Sequence, residues 1–122
     1  MIFMLKDEEI LYRAIGPAPF HWSTQANRPS SAAFYDKNGL SVDRKGNRDQ
    51  EEIVELFSKR FKLKAVVSIS AHTCMGIEVH PAAAPSRSNR WHAELHDSPD
   101  EKLIQKSKRL QLARLCRLVY IK

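Results

Sequence analysis

Three polar side chains around residue 94 are of a type and spacing that could do acid–base chemistry. His92, Glu94 and His96 occupy every second position of the sequence. Because side chains of a β-strand alternate between its two faces, a strand here places all three on one face. A carboxylate beside an imidazole can hold the ring in one tautomer and prepare it to act as a general base. We interpret His92 as the candidate acid–base group and Glu94 as the residue that orients it.

The same alternation has two other interpretations. The polar face could be the solvated side of an edge strand. Two histidines and a carboxylate can also bind a divalent metal ion, although ligands on one flat strand rarely converge without a fourth group. His72 or His80 could supply that group, but nothing in the sequence requires it. We therefore assign no metal and no cofactor.

Arginine and serine side chains nearer the N-terminus could hold an anion. The short segment Arg-Pro-Ser-Ser begins at Arg28 and ends at Ser31, and Arg13 lies upstream of it. Guanidinium groups and hydroxyls near a turn suit a phosphate or a carboxylate, although such serines can instead bond to the backbone at the start of a strand. The chain has no glycine-rich phosphate loop and no GxSxG motif, which argues against familiar nucleotide hydrolases and esterases.

The net charge of +6 is distributed unevenly along the 122 residues. Residues 1–57 carry a net charge of −2 and residues 58–122 a net charge of +8. Lys102, Lys106 and Arg109 are spaced to share one face of a helix, which could lie along a phosphate backbone or be a solvated exterior. No helix-turn-helix, zinc-finger or RNP signature is present. Nucleic-acid binding would therefore depend on charge, without sequence readout.

Helix and strand signals alternate along the chain. Asp49 and Glu52 have the spacing of a capping box before an apolar face at period 3.6, and Ser98-Pro99 resembles a helix start. Asn38-Gly39 predicts a turn that would join two strands into a hairpin. The sequence therefore predicts an α+β fold, with a small, mostly antiparallel sheet and two packed helices at about 49–62 and 99–115. Strands are expected at 8–15, 30–35, 40–42, 65–71, 77–80 and 91–96, with a last one at 118–121.

Composition favours one soluble domain over residues 1–122. The length suits a single domain, and no apolar run approaches the roughly 20 residues of a membrane-spanning helix. The short apolar start is followed at once by acids, unlike a secretory signal. Cys74 and Cys116 form no CxxC pair, so we expect two buried, reduced thiols in a cytoplasmic protein.

Several short motifs resemble those of a group of small uncharacterised bacterial proteins. The motifs are the segment 28–34, which ends in Ser-Ser-Ala-Ala-Phe, Leu-Ser-Val at 40–42, the segment 89–95 with its His-Ala-Glu centre, and Leu-Ala-Arg-x-x-Arg at 112–117. Trp91 departs from the proline-like residue of that group. The resemblance implies a bacterial origin and one compact domain, but no reaction. It also implies that five polar residues gather in one place: Ser31, Ser41, Asn89, His92 and Glu94.

Two functions from different classes follow. The preferred interpretation is a binding or adaptor module whose basic C-terminal half docks an anionic protein or a nucleic acid. The alternative is an enzyme or toxin-like effector, in which His92 and Glu94 act on a phosphorylated or nucleic-acid substrate held by Arg13 and Arg28. Convergence of four residue types in one concave pocket, namely His92, Glu94, Ser31 and an arginine, would favour the enzyme. An exposed flat face lined by these residues would favour the binding module.

Overall fold

The computed structural model describes residues 3–122, which form a seven-stranded antiparallel sheet with helices on both faces. The sheet order is β1-β7-β8-β5-β2-β6-β9, and β3 and β4 pair separately. The predicted α+β class with a mostly antiparallel sheet is confirmed. The strands are β1 (Phe3–Met4), β2 (Ile10–Ile15), β3 (Trp22–Ser23), β4 (Arg28–Pro29), β5 (Leu40–Arg44), β6 (Ala65–Ser70), β7 (His80–Ala83), β8 (His92–His96) and β9 (Arg117–Ile121). The α-helices are α1 (Gln50–Arg60), α2 (Ala71–Gly76) and α3 (Lys106–Leu115).

The two faces of the sheet bury different cores because side chains alternate along each strand. On one face, which we call the α3 face, Leu11, Leu40 and Leu95 pack with residues of α2 and α3 such as Cys74 and Leu112. On the opposite face, the α1 face, a smaller cluster joins the strands to α1. Its buried members are Tyr12, Ile53, Phe57, Leu63 and Val66. Helix α1 therefore covers only one part of its face.

The helix predicted at 49–62 is present as α1, two residues shorter at its C-terminal end. Asp49 occupies the N-cap position, but its side chain makes no capping hydrogen bond, so the predicted capping box does not form. Glu51 and Glu52 lie in the first turn, and Lys59 and Arg60 in the last. This charge order stabilises the helix dipole.

The helix expected from residue 99 begins at Lys106, so its predicted start was wrong. The Ser98 hydroxyl instead accepts hydrogen bonds from the amides of Asp100 and Glu101, which closes a turn. The Asp97 carboxylate accepts the Gln105 amide at 2.9 Å and thereby supports the true start of the helix. Burial alone would raise the pKa of Asp97, but this hydrogen bond and the nearby ammonium of Lys108 lower it overall.

Two predicted strands have another conformation. Ser31–Phe34 is a 3₁₀ helix packed on α3, so the expected hairpin does not form. The turn itself is present: the Asn38 amide donates to the Asp36 carboxylate at 2.8 Å, and Gly39 has a φ of +98°. Strand β5 then pairs with β2 and β8. The strand predicted at 77–80 is present only at its last residue. Residues 77–79 connect α2 to β7, which begins at His80.

Both cysteines are buried and unpaired. Burial raises the pKa of Cys74 to about 12, which keeps that thiol protonated and unreactive at neutral pH. Within residues 3–122, no helix is long and apolar enough to cross a membrane.

Candidate functional site

A ladder of polar side chains runs across β7, β8 and β5 on the α1 face. In β8, Ala93 and Leu95 are buried on the opposite side, whereas His92, Glu94 and His96 are half-buried on this one. Pairing aligns His92 with Asp43, Glu94 with Ser41 and Ala82, and His96 with His80. The strand alternation expected from the sequence is therefore present. Three histidines, two carboxylates and the Ser41 hydroxyl from three neighbouring strands share one surface.

The Glu94 carboxylate lies between two imidazoles. Its Oε1 is 2.8 Å from Nε2 of His96, and its Oε2 is 3.6 Å from Nε2 of His92. The first distance is that of a hydrogen bond. The second is within the range of an ion pair but is too long for a hydrogen bond. Burial acts to raise the pKa of Glu94, but the contacts with His96 and His92 lower it overall. Glu94 is thus a carboxylate at neutral pH and attracts an N–H from each ring.

The turn before β5 lies against the Glu94–His96 hydrogen bond. A Cβ atom on Gly39 would lie 2.7 Å from Oε1 of Glu94 and 2.9 Å from Nε2 of His96. The position also has a positive φ, which favours glycine. The turn signal of the sequence therefore has a second consequence, because the same glycine lets the backbone approach the Glu94–His96 hydrogen bond.

Beside the ladder, the uncovered part of the α1 face forms a concave groove. One cavity of about 430 Å³ is lined by residues that include Tyr12, Ser41, Asp43, Arg60, Lys62 and His92. A second cavity of about 390 Å³ shares Asp43 and Arg60 with the first and reaches Arg90 and Trp91. We call the two together the α1 groove. Each cavity is in the size range of small-ligand sites.

Asp43 fixes the walls of the α1 groove. Its carboxylate is 3.1 Å from the Arg48 guanidinium and accepts a hydrogen bond from the Asn89 side-chain amide at 2.9 Å. The side-chain oxygen Oδ1 of Asn89 in turn accepts a hydrogen bond from the Trp91 backbone amide at 3.0 Å. These bonds tie the loop before β8 to β5. Asn89, predicted as a binding residue, is therefore placed as a positioning residue next to His92.

Three exposed cations that border the α1 groove were not among the residues predicted from the sequence. No salt bridge within residues 3–122 involves these cations, which are Arg60, Lys62 and Arg90. Glu52, an acidic residue that lines the groove, also forms no salt bridge within that range. The Arg60 guanidinium lies 5.0 Å from the centroid of the Phe61 ring. The sequence does show a basic segment at 59–64, at the end of α1. No local pattern indicates that its side chains lie near the polar ladder.

Arg13 and Arg28 do not fit the predicted role of anion binding, because backbone carbonyls occupy their guanidinium groups. Arg13 donates to the carbonyls of Ala33 and Ser41 at 2.9 and 2.8 Å. Burial lowers its pKa to about 10, and Asp36 opposes that shift. Arg28 donates to three carbonyls at the C-terminal end of α3, which caps that helix. Both arginines connect elements of the α3 face.

Arg13 nevertheless lines the first cavity together with His92. Ser31 and the predicted basic residues near α3 lie elsewhere. Ser31 is in the 3₁₀ helix packed on α3. Lys102 and Lys106 are exposed before and at the start of α3, and the Arg109 guanidinium lies 5.0 Å from the ring centroid of Tyr35. Helix α3 packs on the face of the sheet opposite to His92. The structure thus brings together Ser41, Asn89, His92 and Glu94, but not Ser31 or the basic residues of α3.

No group of three or more histidine, cysteine or acidic side chains within residues 3–122 is arranged to hold a metal ion.

Comparison with known proteins adds no assignment. No protein-family model matches the sequence, and neither a curated protein nor a solved structure shows significant similarity to it. The function must therefore be inferred from the groove.

Proposed function

We propose that this protein is a binding module for an anionic partner, single-stranded nucleic acid, and that the α1 groove is its binding site. The observation that carries this proposal is the position of Arg60 and Lys62 on the cavity that His92 also lines. All three residues belong to the basic C-terminal half, residues 58–122. The partner therefore binds that half of the chain, but on the α1 face and not along α3.

Charge balance in the α1 groove supports an anionic partner. Asp43 is already compensated by Arg48 at 3.1 Å. Arg60, Lys62 and Arg90 have no carboxylate partner within residues 3–122, and Glu52 offsets only one of them. Phosphates that enter the groove would gain these contacts without breaking an existing ion pair, and would release counterions on binding.

Aromatic rings favour a nucleic acid over an acidic protein segment. Phe57 and Phe61 line the first cavity, and 45% of the Phe61 surface is exposed beside the Arg60 guanidinium. A ring next to a cation offers a base a stacking surface and its phosphate a counter-charge. The groove consists of two nucleotide-scale cavities, which suits an unpaired strand. The two buried thiols are compatible with a reducing compartment such as the cytoplasm, where nucleic acids are abundant.

Salt dependence tests this proposal. Fluorescence anisotropy of a labelled 12-nucleotide single-stranded RNA would be measured between 50 and 200 mM KCl. Three phosphate contacts should give a slope of about −2 in log affinity against log salt, which is roughly a 20-fold loss over that range. A salt-independent affinity would contradict the proposal. Equal affinity for poly-glutamate would show that the partner is an acidic protein instead.

A further inference from the structure

We propose that His92 is the general base of an RNA-cleaving reaction in the α1 groove, with the ribose 2′-hydroxyl of the bound strand as nucleophile. This inference depends on the proposed function, because the strand must first bind there. It adds a reaction and restricts the substrate to RNA. It is carried by two observations: His92 lies 3.6 Å from the Glu94 carboxylate, and it lines the same cavity as Arg60 and Lys62.

The orientation of the His92 ring suits a base. Its Nε2 faces the Glu94 carboxylate at 3.6 Å. A proton on Nε2 is therefore attracted to Glu94, which leaves Nδ1 as the basic nitrogen. No hydrogen bond engages Nδ1 within residues 3–122. The Nε2 contact is longer than a hydrogen bond, and such contacts commonly shorten when substrate binds.

Glu94 is itself held in place. The Nε2 atom of His96 lies 2.8 Å from Oε1, and the turn at Gly39 packs against the same atoms. Oε2 is thereby directed toward His92. Glu94 acts through His92 and is a positioning residue, and His96 fixes Glu94 in turn. This arrangement gives His96 a use that the sequence alone did not indicate.

Charge stabilisation is available on the same cavity. Cleavage of a phosphodiester by a neighbouring hydroxyl builds negative charge on the non-bridging oxygens of phosphorus. Arg60 and Lys62 border the cavity that His92 lines and have no salt bridge within the described residues. Cations positioned where charge develops stabilise the transition state more than the ground state.

The reaction balances without any added reactant. Nδ1 of His92 takes the proton of the 2′-hydroxyl, and the 2′-oxygen forms a bond to phosphorus. The bond from phosphorus to the 5′-oxygen breaks, and that oxygen takes a proton from water. The imidazolium returns its proton to the resulting hydroxide. The products are a 2′,3′-cyclic phosphate and a 5′-hydroxyl, with no change in oxidation state.

The decisive experiment compares cleavage and binding with two probes of one sequence. A 12-nucleotide single-stranded RNA and its 2′-deoxy counterpart are incubated with the wild-type protein, and products are resolved by mass spectrometry. We expect a 2′,3′-cyclic phosphate from the RNA and no product from the DNA. The variants His92→Ala and His92→Gln should cleave at least about a hundredfold more slowly. Anisotropy with the same RNA, measured in parallel, separates slower cleavage from weaker binding.

Two further variants separate catalysis from structure. Glu94→Gln should reduce kcat by about tenfold and leave KM unchanged, because the amide no longer orients the His92 ring but does not itself contact the substrate. The matched control is His72→Ala. His72 also faces a carboxylate, Asp7 at 3.7 Å, but belongs to α2 on the α3 face. The His72→Ala variant should cleave the RNA at the wild-type rate.

The outcomes distinguish this inference from the proposed function. If the wild-type protein binds the RNA without cleaving it, or if both His92 variants cleave at the wild-type rate, the inference is wrong and the binding proposal stands. Cleavage of the DNA probe would also refute the 2′-hydroxyl mechanism. If neither probe binds, both proposals are wrong.

Discussion

The double variant Arg60→Glu, Lys62→Glu should bind single-stranded RNA about a hundredfold more weakly than the wild-type protein, or about 2.8 kcal/mol of binding free energy. Both side chains border the cavity that His92 lines. Reversing them replaces two phosphate contacts with two repulsions and should also flatten the salt dependence. The measurement is anisotropy with a labelled 12-nucleotide RNA at fixed, low salt.

A matched variant tests whether position or overall charge matters. Lys106→Glu, Arg114→Glu changes the net charge by the same amount, on the exposed side of α3 across the sheet from the α1 groove. It should retain affinity within about threefold, since exposed charges far from the ligand are screened by salt. Equal losses in the two double variants would mean that only the net charge attracts RNA.

The variant Gly46→Ala should unfold about 3 kcal/mol more easily than the wild-type protein. A Cβ atom there would lie 1.9 Å from the Trp91 ring, and the backbone has a φ of +58°. Overpacking and an unfavourable φ each cost about 1–3 kcal/mol. Urea denaturation should show a lower midpoint with an unchanged slope.

Two controls accompany this variant. Gly16→Ala adds a Cβ atom with nothing within 4 Å and should change the unfolding free energy by less than about 0.5 kcal/mol. Adding Trp91→Ala to Gly46→Ala should recover the steric part of the loss. If Gly46→Ala is as stable as Gly16→Ala, then Trp91 does not pack on this turn, and the wall of the α1 groove is placed wrongly.

The sequence predicted those elements that short-range patterns determine. The 3.6-residue period in 49–62 predicted α1, and the alternation from His92 to His96 predicted which side chains share a face. Helix α3 shows where such patterns fail. Its start depends on Asp97, whose carboxylate accepts the Gln105 amide from eight residues away. The segment at Ser98-Pro99, which resembles a helix start in sequence, forms a turn instead.

The candidate site was only partly predictable for a related reason. His92 and Glu94 were identified because their spacing is local, but Arg60 reaches the same cavity from another element. Arg28 was assigned to an anion, yet it caps α3 across more than eighty residues of sequence. Which cations are free and which are occupied depends on tertiary contacts. A residue-type pattern carries no information about them.

NMR shift mapping tests the central claim most directly. The ¹⁵N-labelled protein would be titrated with the 12-nucleotide RNA, and the amide shifts of the two faces of the sheet would be compared. We expect the largest changes at Ser41, Arg60–Lys62 and Arg90–His92, with α3 unchanged. Changes confined to Lys102–Leu115, with the α1 groove unaffected, would contradict the account and place the anionic partner on the basic helix.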